Sequence, residues 1–176
     1  MTPIFHADHK TGAYELKKNF DATYILGEKS GSKKADVLCK DSEVLPFDTL
    51  KVTSRLTPGH TAGCVSFIVE EGKNKWAFTG DTLLIRGCGR TDFQGGDSST
   101  LYRSIKDKLF CLDDDTAFFP GHDYKGQTQS TVGEEKRFNP RLKTSVDENH
   151  FVEIMNKLVL KKPNNLMEQV KFNMGA

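Results

Sequence analysis

Histidine and aspartate recur in this chain in positions that can hold a metal ion. "HADH" near the start sets His6, Asp8 and His9 side by side, while "LTPGH" ends on His60, "AFTGD" on Asp81 and "FFPGH" on His122. Imidazole and carboxylate donors without thiolate suit Zn, Mn or non-haem Fe(II). A set of two histidines and one carboxylate with open coordination positions favours an iron that activates O2. The four cysteines, Cys39, Cys64, Cys88 and Cys111, form no C-x-x-C pair. A cysteine-based zinc site and a disulfide framework are therefore not expected, and the thiols are read as reduced. The fifth histidine, His150, stands at the start of a helical stretch and is read as structural or solvated.

Three of these sites share a design. His60, Asp81 and His122 each follow an extended run that Gly, and often Pro, interrupts, so each side chain falls on a loop at a strand's end. Layered α/β proteins build their sites in such places. "HADH" is different, because chain ends fray unless something ties them down. Either this end is anchored in a core or Met1 is not the natural start of the domain.

The surrounding composition is that of an ordinary folded domain. The 176 residues are 36% hydrophobic and 28% charged, with a formal net charge of +1. That length suits a single domain with a real core, taken as residues 1–176. Interspersed charges give no footprint for nucleic acid or a membrane surface. No apolar run approaches the roughly 20 residues of a membrane span, and no targeting segment is visible.

Along the chain, Thr11–Phe20 reads as a short helix with Tyr14, Leu16 and Phe20 buried. "ATYILG" is a short strand ended by Gly27, and "EKSGSKKAD" a polar loop. Residues 44–56 suggest two extended segments around a turn near Pro46–Asp48. Cys64–Val69 and Trp76–Thr79 read as strands joined through "EEGKNK". Ser98 or Ser99 is expected to cap a helix through Phe110 with Leu101, Tyr102, Ile105 and Leu109 on one face. "DTAFFPGHDY" is a strand stopped by Pro120 and Gly121. A helix around Val132–Phe138 stops before Asn139–Pro140. Ser145 and Glu148 suggest a capping box ahead of Phe151, Ile154, Met155 and Leu158, the apolar positions of an amphipathic helix. Strands alternating with helices predict a layered α/β fold.

"HADH", "TPGHTAGCVSF", "FTGDTLLIRGCGRTDF", "LYRSI" and "FPGHDYKGQTQSTVGEEKRFNPRL" together resemble the metallo-β-lactamase superfamily, and within it the persulfide dioxygenase branch. The likeness runs from about His6 to the C-terminal helix. It implies an αββα sandwich, here lacking its N-terminal strands. It also implies one Fe(II) per chain, with Zn as the alternative, that uses O2 to oxidise glutathione persulfide to sulfite and glutathione. In that branch the iron ligands are the first His of H-x-H-A-D-H, the His of P-G-H-T and the Asp of T-G-D. Carried over, these positions are Ile4, His60 and Asp81. Ile4 cannot bind a metal, so His6 is the candidate stand-in. Asp8, His9 and His122 match the remainder of the motif as second-site or outer residues.

Arg90 and Tyr124 are the substrate-side candidates that the resemblance implies, a guanidinium being suited to glutathione carboxylates. Lys125 and Arg141 could add positive charge, and Cys88 is read as buried packing. The resemblance further implies a mitochondrial matrix location, or the cytoplasm if this start is genuine, and admits a homodimer. Two rival readings follow from the same residues. One is a hydroxyacylglutathione hydrolase of glyoxalase II type, with two metals and a bridging hydroxide. The other is an inactive truncated fragment, "MTPIF" being the start of a shortened product and the absent strands leaving sheet edges uncovered.

Overall fold

The computed structural model describes residues 11–93, 95–160, 168, 172 and 173. In chain order the elements are α1 (Ala13–Phe20), β1 (Ile25–Gly27), β2 (Val37–Cys39), β3 (Val44–Leu45), β4 (Lys51–Leu56), β5 (Val65–Glu71) and β6 (Asn74–Gly80). They continue with β7 (Leu83–Leu84), β8 (Gly87–Cys88), α2 (Ser98–Lys108), β9 (Ala117–Pro120), β10 (Ser130–Thr131), α3 (Val132–Phe138) and α4 (Glu148–Asn156).

Six strands form one mixed sheet in the order β10-β9-β6-β5-β4-β3, while β1 pairs β2 in parallel and β7 pairs β8 as a tight hairpin. β5 lies at the middle of the sheet, and its residues Val65 to Val69 are all buried. A strand reads as continuously apolar when both faces of its sheet are covered. On one face, Ile68, Ala77 and Phe118 pack with Leu101, Ile105, Leu109, Phe151 and Met155 of α2, α4 and the segments that follow them. On the other, Val52, Val65, Phe67 and Val69 pack with Cys39 and Leu45, and with the partly buried Ile25. These two apolar layers hold the sheet between helices and the β1–β2 pair.

The strands and helices expected around the three loops are present, and three local expectations are corrected. Leu16 and Phe20 are 57% and 74% exposed rather than buried. Their stripe on α1 has the helical period, but a stripe is buried only where a partner surface meets it. The placement of Tyr14's side chain lies outside the described residues. The cap of α2 is Asp97, whose carboxylate accepts from the Thr100 N–H at 2.7 Å, while Ser98 Oγ is engaged with Thr91 Oγ1. Asp147 likewise caps α4 through the His150 N–H at 2.8 Å, displacing Ser145. A carboxylate at this position adds favourable charge at the helix N-terminus to the cap hydrogen bond. His150 is exposed, as expected.

Cys39, Cys64 and Cys88 are buried and Cys111 is exposed, all four as free thiols. Burial pushes the Cys64 and Cys88 thiols up to about 11 and raises Cys39 as well. Because the thiolate is the reactive form, native protein at about pH 8 should react rapidly with Ellman's reagent at Cys111 alone. The other three thiols should appear only on denaturation. Rapid labelling of Cys64 or Cys88 in the folded state, read by peptide mass, would contradict this packing.

Candidate metal centre

Strand direction brings the chemical residues together. β4 is antiparallel to β5, and β5 to β6, so β4 and β6 run the same way; β6 and β9 are parallel neighbours. The C-terminal ends of all three therefore lie at one edge of the sheet. Asp81 follows β6 directly, and His122 stands two residues beyond β9. β4 is two strands from β6, about 10 Å away at ordinary strand spacing. The turn through Pro58 and Gly59 carries His60 back across that gap.

Asp81 is buried and sits between the two imidazoles. Its Oδ1 is 2.7 Å from His122 Nδ1, and its Oδ2 is 3.7 Å from His60 Nε2. His60 Nδ1 lies 2.6 Å from the backbone carbonyl oxygen of Arg90. A carbonyl can only accept, so Nδ1 of His60 carries a proton, and in the neutral ring the lone pair is on Nε2, facing Asp81. Metal-binding histidines are typically oriented in this way by a carbonyl or carboxylate behind the ring. With ligand bonds of about 2.0–2.2 Å, donors sharing one ion stand no more than about 4.4 Å apart. The separation of His60 Nε2 and Asp81 Oδ2 meets that requirement, so these two residues fit a common cation. Among the described residues alone, no set of three His, Cys, Asp or Glu side chains is arranged to hold an ion. Ile4, His6, Asp8 and His9 lie outside the described residues.

Close backbone approach makes this geometry feasible. A Cβ on Gly89 would fall 2.2 Å from the Asp81 carbonyl oxygen and 2.8 Å from His60 Cγ, and one on Gly121 would fall 2.7 Å from Asp81 Oδ1. Gly89 also donates its N–H to the Asp81 carbonyl at 2.8 Å, and Gly121 donates to the Gly80 carbonyl at 2.7 Å. Beneath the site, the hydroxyl of Thr57 is 3.0 Å from those of both Ser66 and Thr82. All three residues are fully buried, and they tie the end of β4 to β5 and to the residue after Asp81. The turn after His60 is held by Cys64, whose sulfur lies 3.1 Å from Thr61 Oγ1 and accepts from the Thr61 N–H at 3.4 Å. Neither the hydroxyl cluster nor the role of the Arg90 carbonyl stands out in the sequence.

The Arg90 guanidinium points to Asp92, with Nε and Nη2 donating to its two carboxylate oxygens at 2.6 and 2.7 Å, and stacks over Phe93 at 4.2 Å. That pairing holds the Asp92 carboxyl below the usual range. The Tyr124 ring is 81% exposed and lies parallel to the His122 ring, centroids 6.1 Å apart. Lys125 is exposed, whereas Arg141 turns inward with Nη1 4.0 Å from Cys88 Sγ. Cys88 is buried against Met155, in keeping with a packing role.

A sheet whose parallel strands deliver His60, Asp81 and His122 to one edge is matched by known proteins. The sequence model of the metallo-β-lactamase superfamily matches residues 41–122, and the chain belongs to that superfamily. Within it, the chain is 44% identical over 169 residues to the mitochondrial persulfide dioxygenase ETHE1 of Homo sapiens, an alignment taking in 96% of this chain and 65% of the human protein. The crystal structure of ETHE1 from Myxococcus xanthus superposes with a TM-score of 0.89 at 38% identity, covering 97% of this chain and 73% of that one. The hydroxyacylglutathione hydrolase GloC of Haemophilus influenzae is 35% identical over 158 residues, which are 78% of this chain and 72% of the hydrolase. The chain thus spans just under two thirds of the human relative, and both enzyme types are among its sequence relatives. Among the described residues, no helix is long and apolar enough to cross a membrane.

Proposed function

We propose that this chain is the metal-bearing part of a persulfide dioxygenase that oxidises glutathione persulfide with O2. The observation that carries the reading is the pairing of His60 Nε2 with Asp81 Oδ2 at 3.7 Å, the imidazole being held from behind by the Arg90 carbonyl. Support also comes from the identity to ETHE1 over almost the whole chain. In this reading His60 and Asp81 hold Fe(II), with His6 as the further ligand in place of Ile4. His122 holds the far oxygen of Asp81, and Asp8 and His9 belong to the outer part of the site. Fe(II), when bound, supplies the activation of O2 that the overall reaction needs. In that reaction, glutathione persulfide, O2 and water give glutathione, sulfite and two protons. The sulfane sulfur loses four electrons, and O2 gains them.

The chain's own residues orient and shield. The Arg90 carbonyl fixes the His60 tautomer. The His122 contact sets the plane of the Asp81 carboxylate and leaves Oδ2 toward His60. Arg90 and Tyr124 form the substrate-side wall, Arg90 shaping it through the ion pair with Asp92 and Tyr124 through an exposed ring beside His122. By analogy with the human relative, the working compartment is mitochondrial.

A second reading has one observation in its favour. The two oxygens of Asp81 face different histidines, an arrangement that a carboxylate bridging two metals could also use. That would fit the two-metal hydroxyacylglutathione hydrolase. Metal analysis after anaerobic loading with Fe(II) and with Zn(II) separates the two. The dioxygenase reading expects close to one iron per chain and persulfide-dependent O2 uptake that yields sulfite. Two zincs per chain with thioester cleavage would transfer the assignment to the hydrolase. Absence of stable metal would defeat both readings.

A further inference from the structure

Among the described residues, Glu135 on α3 is a charged side chain outside the site with no solvent exposure. Four donors satisfy its carboxylate. Oε2 accepts from the Arg86 backbone N–H and from Asn139 Nδ2, both at 2.8 Å. Oε1 accepts from Ser130 Oγ at 2.8 Å and from the Arg86 guanidinium. Asn139, equally buried, is just as fully used. Its Nδ2 also donates to the Gly87 carbonyl at 3.1 Å, and its Oδ1 accepts from the N–H groups of Arg141 and Leu142. α3 and its C-cap Asn139 thereby grip two consecutive residues, at the Arg86 N–H and the Gly87 C=O, where the β7–β8 hairpin enters β8.

The gripped hairpin leads straight to the site. Arg86 is held in the left-handed region at φ 57°, a conformation costly for a non-glycine residue that persists where the surroundings over-determine it. Three residues after the tip, Gly89 donates to the Asp81 carbonyl; the next residue, Arg90, supplies the carbonyl behind His60. Stability alone is a weak reason for such a pair, since a buried ion pair is often no better than a well-packed apolar one. What the clamp uniquely fixes is the position of the hairpin backbone.

We propose that Glu135 and Asn139 are positioning residues for the metal centre: by fixing the hairpin at Arg86 and Gly87 they place the Arg90 carbonyl, and through it the orientation and tautomer of His60. The functional weight of this rests on the metal-centre reading, but its geometric content does not. The first test is E135Q, which keeps the shape and removes the buried charge against Arg86, leaving Glu134 Oε2 3.7 Å from the guanidinium. The His60 tautomer is read by nitrogen-15 NMR at about pH 8.5 without metal, and Zn(II) affinity is read by titration well below the melting midpoint. Val69→Ala, in the apolar layer on the other face of the sheet, supplies a control for lost stability.

The expected result is a wild-type His60 protonated on Nδ1 alone, and a mixture of tautomers in E135Q. Zn(II) binding should be about 10–100-fold weaker in E135Q, the usual effect of disturbing the groups behind a ligand, and unchanged in Val69→Ala. Retention of the pure Nδ1–H form in folded E135Q would overturn the proposal. So would a Val69→Ala protein that loses Zn(II) affinity to the same degree. If E135Q fails to fold, Asn139→Ala takes its place: it removes the bond to the Gly87 carbonyl and leaves the Glu135–Arg86 contact, and the same tautomer change is required of it. A protein in which neither wild type nor variant binds Zn(II) would defeat the metal-centre reading, while the tautomer would still decide the clamp.

Discussion

Asp81→Ala is expected to abolish metal retention, the largest effect of any single substitution at this site. Among the described residues, Asp81 contributes the carboxylate that lies between His60 and His122, one oxygen toward each. Removing it takes away both the negative charge and the donor that shares an ion with His60. Groups behind a ligand cost about 10–100-fold in affinity when lost, so loss of the ligand itself should cost more than about 100-fold. Persulfide-dependent O2 uptake should fall to background. D81N separates shape from charge, because it retains an oxygen donor of the same geometry without the charge. It should keep the fold and the His60 tautomer, yet bind Fe(II) and Zn(II) far more weakly than wild type. Titration of both metals into folded apoprotein checks this. An Asp81→Ala protein with wild-type affinity would remove Asp81 from the ligand set and, with it, the reading built on the His60–Asp81 pair.

The loops carrying the site were legible in the sequence because glycine and proline end strands in a way that residue type reveals. "TPGH", "FTGD" and "FPGH" each announce a break followed by a chemical side chain, and the sheet places all three at one edge. α2, α3 and α4 were legible from apolar spacing and from the Asn139–Pro140 stop. β2, β7, β8 and β10 were not. Strands of two or three residues are too short to show alternation, and backbone pairing rather than side-chain pattern defines them.

The missed functional groups share a cause. Arg90 acts on His60 through its carbonyl, a group every residue possesses. Glu135 sits in "VGEEKRF", where nothing in the sequence sets it apart from its neighbour Glu134; only the fold shows that it points inward to Arg86. The Arg90 side chain, placed on the substrate side by the resemblance, also pairs with Asp92. The two-residue spacing in "GRTDF" was the available signal for that pair. His6, Asp8 and His9 were chosen on motif alone and lie outside the described residues, so their part in the site belongs to the proposal.

Two glycines of one hairpin offer the sharpest test of how tightly the site is built. A Cβ at Gly87 meets nothing nearer than Leu84 Cβ at 3.9 Å, an ordinary contact, whereas at Gly89 it would lie 2.2 Å from the Asp81 carbonyl oxygen. Neither glycine has a positive φ, so backbone conformation does not separate them and only space does. Gly87→Ala should therefore change stability by no more than about 0.5 kcal/mol. Gly89→Ala must force the hairpin away from Asp81 and cost about 1–3 kcal/mol, measured as a lower urea midpoint at unchanged slope. The same displacement breaks the Gly89–Asp81 hydrogen bond and presses on the His60 ring, so Zn(II) affinity should fall with it, even at temperatures where the variant is fully folded. Loss of stability with affinity intact would mean that the ligands can move with the hairpin as a unit. Equal behaviour of the two variants would mean that the close approach of Gly89 to Asp81 and His60 does not exist in solution.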